Sequence, residues 1–156
     1  MKILVIGGSG FIGRNVSDSL TKYGHKVTIL DKKKNKKIKK NQKFILGDIR
    51  NVKFLNKAIN GKDVVFNFAA LSDIDAARFM PSETISLNIL AVSNILKICA
   101  SKKIKRFIQA STIYALSEEG GFYARSKRAA ETRTSESSWR VQCGTLPFPN
   151  RKLLNL

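Results

Sequence analysis

Tyr123 and Lys127 stand four residues apart in Tyr123-Ala124-Arg125-Ser126-Lys127. On a helix that spacing puts both side chains on one face. A phenol ionises near pH 10 and is a poor proton carrier at neutral pH until its anion is stabilised. A neighbouring ammonium supplies that stabilisation. Such a pair can take a proton from a hydroxyl, and the hydroxyls of Ser111 and Thr112, a short loop earlier, could orient the reacting oxygen. Tyr and Lys fall at this spacing by chance in many helices, so the pair gains its meaning from what surrounds it. At the other end of the chain, Ile3-Leu4-Val5-Ile6 runs directly into glycines at Gly7, Gly10 and Gly13 and then into a helical pattern. A strand, a glycine-rich turn and a helix in that order suit a dinucleotide pyrophosphate. Gly7 turns the chain off the strand, Gly10 leaves room for the phosphates, and Gly13 lets the helix approach the sheet. The N–H groups at the helix start would hold the negative charge. Asp31, closing the next strand, is placed to accept the ribose hydroxyls, with Lys32 and Lys33 following where a 2′-phosphate would lie.

The elements that must position these groups are legible as alternating periods. Ile12, Val16 and Leu20 recur every fourth residue and predict a helix from Phe11 to Tyr23, stopped by Gly24. His25 to Asp31 reads as a second strand and Phe44 to Leu46 as a third, ended by Gly47-Asp48. Val52, Leu55 and Ile59 mark a short helix. The run from Asp63 to Ala70 suits a strand buried on both faces of a parallel sheet. A long helix follows Pro81, carrying Ile85, Leu87, Ile89, Leu90, Val92, Ile95, Leu96 and Ile98 as far as Ser101. Arg106 to Ser111 is a fifth strand, and a helix is expected over 122–132. Strands alternating with helices imply an α/β fold, a doubly wound parallel sheet of five or six strands in three layers.

Composition bounds the rest. The 156 residues suffice for one domain with a real core, and 43% are hydrophobic. Two cysteines, Cys99 and Cys143, are too few for a disulfide framework and read as reduced thiols of a cytoplasmic protein. The N-terminal apolar run breaks into glycines and is no signal peptide, and no segment is expected to reach the length of a membrane span. No His, Cys or carboxylate cluster has metal-ligand spacing. The net charge is +18, and residues 32–43 hold eight lysines. That segment reads more readily as a solvated loop, or as an attractor of anionic ligand, than as a nucleic-acid surface, since no aromatics are interleaved with it. Residues 129–156 hold one lysine, Lys152, against nineteen before them, together with the sole tryptophan, Trp139. This tail either packs poorly as a sequence of different origin or is a polar loop leading to a sixth strand over 141–146.

Taken in order, these motifs resemble the extended short-chain dehydrogenase/reductases of the NAD-dependent epimerase/dehydratase family. Gly7-Gly8-Ser9-Gly10-Phe11-Ile12-Gly13 matches that family's cofactor turn, with Phe11 and Ile12 inside it. Asp31 matches its ribose-holding acid, and Gly47-Asp48-Ile49-Arg50 resembles the segment whose Asp48 and Ile49 would contact adenine. Phe68-Ala69-Ala70 resembles the strand end beside the cofactor, and Asn88 the asparagine of the long helix. Thr112 aligns with the catalytic Ser/Thr, with Ser111 an alternative, Tyr123 with the catalytic Tyr, and Lys127 with the catalytic Lys. The resemblance covers residues 1–131 and implies a Rossmann-type NAD-binding domain. It implies NAD rather than NADP as cofactor, a nucleotide-activated sugar as substrate, and epimerase or dehydratase chemistry in which Lys127 lowers the phenol's pKa. It also leads one to expect a smaller substrate domain that this chain lacks. An NAD-binding module without turnover is therefore the alternative to an enzyme. Neither a membrane nor a nucleic-acid partner is expected; a homodimer through the long helices is.

Overall fold

The computed structural model describes residues 1–35, 37–117, 119–135 and 141–144, with backbone alone at 135 and 141–144. Its described elements are β1 (Lys2–Ile6), α1 (Phe11–Lys22), β2 (Lys26–Asp31), β3 (Lys43–Leu46), α2 (Val52–Ile59), β4 (Val64–Asn67), α3 (Ile74–Phe79), α4 (Pro81–Thr84), α5 (Ala91–Ser101), β5 (Arg106–Ala110), α6 (Gly121–Ser135) and β6 (Val141–Gly144). A wider π-turn over Ile85–Leu90 joins α4 to α5, and a 3₁₀ turn over Ile113–Leu116 precedes α6.

All strand pairs are parallel, in the order β3-β2-β1-β4-β5-β6. The order reverses direction between β1 and β4, so a crevice opens at their carboxyl ends. The sheet is buried on both faces, which is why Ile3, Leu4, Val5 and Ile6 are all fully covered. On one face Val16 and Leu20 of α1 pack on Ile3, Val5, Ile29, Phe66 and Ile108. On the other, α2, α5 and α6 bring Leu55, Ile95, Leu96 and Ala130 onto Leu4, Ile6, Val65 and Phe107. These are the three expected layers.

Several local expectations are corrected. β4 stops at Asn67 rather than continuing to Ala70, because the Asn67 carboxamide oxygen accepts the Ala69 N–H at 3.2 Å and bends the chain out of the sheet. β5 ends at Ala110, and α6 runs to Ser135. The helix α3 was not legible; Asp73 caps it by accepting the Ala76 N–H at 2.8 Å. Pro81–Ser101 forms a continuous 21-residue helical stretch long and apolar enough to cross a bilayer, contrary to the expectation that no segment reaches that length. Its inward stripe, including Ala91, Val92, Ile95 and Cys99, is spent on the sheet. Of the two readings of the tail, the sixth strand is seen over Val141–Gly144, paired with Phe107 to Ala110. Expectations touching 136–140 and 145–156, Trp139 and Leu146 included, lie outside the described residues.

Among the described residues no helix joins β2 to β3. The described part of the lysine-rich connection is tied down on α1: Lys39 pairs with Asp18 at 3.4 Å, and the Gln42 amide donates to Asp18 and Thr21. Ile38 and Phe44 pack on the α1-side core.

Candidate functional site

A cleft of about 370 Å³ opens at the carboxyl ends of β1, β2, β4 and β5. Its first wall is the glycine turn. Gly7 has φ +73°, and a Cβ there would meet the Ala69 nitrogen at 2.6 Å, so the turn and the β4 loop touch backbone to backbone. A Cβ at Gly13 would come within 2.3 Å of the Gly7 carbonyl oxygen, so only glycine lets α1 start this close to the sheet. Gly10 differs: its φ of −70° suits any residue, and a Cβ would meet only the Gly7 oxygen, at 3.3 Å. Gly10 is also the N-cap of α1 and gives it no side-chain cap. With Gly10, Phe11, Ile12 and Gly13 lining the cleft, the first-turn N–H groups are available to an anion.

Asp31 and Lys32 stand at the edge of the same cleft. The Asp31 carboxylate accepts the Ser9 N–H at 3.0 Å and the Lys33 N–H at 3.2 Å, which fixes it at the mouth of the turn with lone pairs to spare. Asn35 donates to the Ser9 carbonyl at 3.0 Å and closes the turn from above. Asp48 and buried Ile49 line the next part of the wall. Arg50 holds Asp48 through its Nε at 3.0 Å and its Nη2 at 2.5 Å, and its Nη1 reaches Glu83 at 2.5 Å. The Arg50 hydrogen bond holds the Asp48 carboxyl below the ordinary carboxylate range, and the two acids raise Arg50 further.

Ala69, Ala70, Ala110, Ser111, Tyr123 and Lys127 form the opposite side. Tyr123 is 8% exposed and Lys127 4%, on consecutive turns of α6. Burial pushes the Tyr123 phenol up, while a hydrogen bond from the Thr112 hydroxyl pulls it down; burial is the larger effect. The net direction is opposite to the expected lowered phenol: among the described residues burial outweighs the Thr112 hydrogen bond. The Lys127 ammonium donates to the Ala110 carbonyl at 2.6 Å. Ser111 and Thr112 divide the role expected of one hydroxyl. Ser111 lines the cleft and donates to the Glu131 carboxylate, whereas Thr112 lies behind the lining, against Tyr123. Thr112 also caps the 3₁₀ turn by accepting the Tyr114 N–H at 3.4 Å.

Asn88 is the one expected cofactor residue that does not line the cleft. It is 2% exposed, accepts the Leu71 N–H at 2.8 Å, and donates to the Leu71 carbonyl and to Ser126. It therefore ties the loop after β4 to α6, and the π-turn it sits in widens the helix at that point. The cleft also uses Ser72, Glu83 and Leu87, which sequence reasoning missed. Arg50 and Glu83 are 33 residues apart, and no local pattern joins them. Among the described residues no acid, His or Cys group is arranged to hold a metal ion.

A family model for the NAD dependent epimerase/dehydratase family matches residues 3–138. A UDP-glucose 4-epimerase of Rickettsia conorii is 30% identical over 122 residues, covering 70% of this chain and 36% of that protein. A protein of Methanocaldococcus jannaschii described as an uncharacterized membrane protein is 29% identical over 118 residues, covering 70% of this chain and 35% of its own. Among solved structures, the Thermus thermophilus UDP-glucose 4-epimerase in complex with NAD superposes with a TM-score of 0.78 at 28% identity, covering 86% of this chain and 50% of that one. The chain thus spans between about a third and a half of the length of these three proteins.

Proposed function

The chain belongs to the NAD-dependent epimerase/dehydratase family, and from that premise we propose that its cleft binds NAD(H), in preference to NADP(H), against the acid–base pair Tyr123 and Lys127. The observation that carries this reading is Gly10. The Gly10 φ suits any residue and an added Cβ would crowd only the Gly7 oxygen, yet glycine opens an uncapped helix at the cleft, beside a fixed carboxylate. A dinucleotide fits that arrangement: the pyrophosphate would lie on the N–H groups of Phe11, Ile12 and Gly13, the adenosine ribose on Asp31, and the adenine beside Asp48 and Ile49. Asp31 repels a 2′-phosphate, and Lys32 and Lys33 soften that repulsion, so the outcome is preference rather than exclusion.

When bound, the nicotinamide supplies the hydride acceptor and donor. The chain's own part is the proton. Tyr123 is neutral at rest and faces the cleft wall that holds Lys127 and Ser111. The proposed substrate is a nucleotide-activated sugar, by likeness to relatives that carry that name. Tyr123 would take the proton of the sugar hydroxyl as hydride leaves the same carbon, with Thr112 holding the phenol oxygen and Ser111 the sugar oxygen. Binding is tested by fluorescence titration with NADH, and turnover by NADH formation or epimer exchange on UDP-sugars with Tyr123→Phe as control. Binding without any Tyr123-dependent turnover would support a cofactor module instead of an enzyme.

A further inference from the structure

Beneath the cleft floor, two carboxamides sit where a parallel sheet would ordinarily bury hydrocarbon. Asn67, the last residue of β4, is 0% exposed, and Gln109, its register partner on β5, is 1% exposed. They are joined to each other and to both sides of the cleft. The Ala69 N–H donates to the Asn67 oxygen at 3.2 Å, and the Asn67 amide donates to the Gln109 oxygen at 2.9 Å. The Gln109 amide then donates to the Ala110 carbonyl at 2.9 Å, the same carbonyl that receives the Lys127 ammonium at 2.6 Å. The first three bonds run donor to acceptor from the β4 loop to the Ala110 carbonyl, which accepts from Gln109 on one side and from the lysine on the other. Placing two such groups in an apolar sheet is costly unless each is satisfied, and here each is satisfied by the other and by backbone that lines the cleft.

We propose that Asn67 and Gln109 are positioning residues. They orient the Ala110 carbonyl that anchors Lys127 and lock that anchor to the Ala69 loop, so the lysine is set in place relative to the cofactor side of the cleft. The proposal rests on the reading of the cleft as an NAD(H) site only for its binding arm.

Three versions of the chain test it: the native chain, Gln109→Met, and the double variant Asn67→Val with Gln109→Met. The single change leaves the Asn67 amide buried without an acceptor and destabilises the fold. The double change removes both members of the buried amide pair and recovers part of the lost melting temperature, the Ala69 N–H alone being left without its acceptor. Two quantities are then read at neutral pH: the rate of reductive methylation of Lys127, resolved by peptide mass spectrometry against Lys22 as surface reference, and NADH affinity by fluorescence. In the refolded double variant Lys127 is expected to label about tenfold faster, and NADH to bind about tenfold more weakly, the weight of one charge-assisted hydrogen bond. A well-folded double variant with native labelling would overturn the proposal, since the pair would then serve the sheet alone. Failure of both variants to fold would overturn it for the same reason. Were the native chain to bind no NADH, the site reading would fall while the labelling rate still decided the relay.

Discussion

Gly10 separates what the chain needs from what a ligand needs. Gly10→Val should leave the far-ultraviolet spectrum close to native and lower the melting temperature by a few degrees, since its φ is ordinary while its Cβ crowds the Gly7 oxygen and valine caps a helix less well than glycine. NADH binding should fall by more than about a hundredfold, as a branched side chain takes the pyrophosphate's place. Asp31→Ala should narrow or invert the preference for NAD(H) over NADP(H), measured by calorimetric titration of both. Tyr123 gives a prediction in alkali. Its folded pKa is raised, so the stability its burial contributes is present below the ordinary tyrosine value of about 10 and is lost as pH rises through the folded value. Tyr123 should therefore ionise above the ordinary tyrosine value, a step of the absorbance titration missing from Tyr123→Phe, and that variant should lose less stability above about pH 10. The spacing of Tyr123 and Lys127 was legible because it is a property of one helix. The sharing of roles between Ser111 and Thr112 was not, because Glu131 and Tyr123, which hold them, are reached only once α6 lies across the end of β5.

Elements were legible where one period ran unbroken. The stripe of Val16 and Leu20 and the apolar β1 and β4 specified both a helix and a buried sheet, and the parallel, doubly wound class followed from strands alternating with helices. Reading failed where a side chain ended an element. Asn67 turns the chain out of β4 with its own oxygen, and Asp73 starts α3 in a stretch with no apolar repeat. Asn88 lies off the cleft lining and bonds Leu71 and Ser126, and a buried asparagine in a long helix has the same sequence signature whether it meets a ligand or a loop. The cap of α2 offers a clean test of such local control. Asn51 accepts the Phe54 N–H at 3.0 Å, and α2 carries Leu55 and Ile59 into the core. Asn51→Ala should cost about 1 kcal/mol in denaturant unfolding, with an unchanged slope, because a helix start is lost while the packing remains.

At the scale of the molecule, the net charge of +18 acts on stability and on the ligand together. Lys2 and Lys26 are register partners, and Lys62, nearby, is held below the ordinary lysine range by burial and by the charges of Lys43 and Lys2. A lowered lysine penalises folding while it is protonated, and the penalty lifts as pH rises through its folded value. Salt screens the same repulsion, so raising ionic strength from about 0.01 M to 0.15 M should raise the melting temperature while weakening NADH binding through Lys32 and its neighbours. The carboxyl ends of β1 to β5 and the turns that follow them meet at one crevice, and the central claim is that this crevice is a dinucleotide site. Its most direct test is NADH fluorescence titration of the native chain beside Gly10→Val, with circular dichroism verifying that both are folded. Saturable binding by the native chain and none by the variant is the expected result. Equal binding by both, or none by a folded native chain, would contradict it.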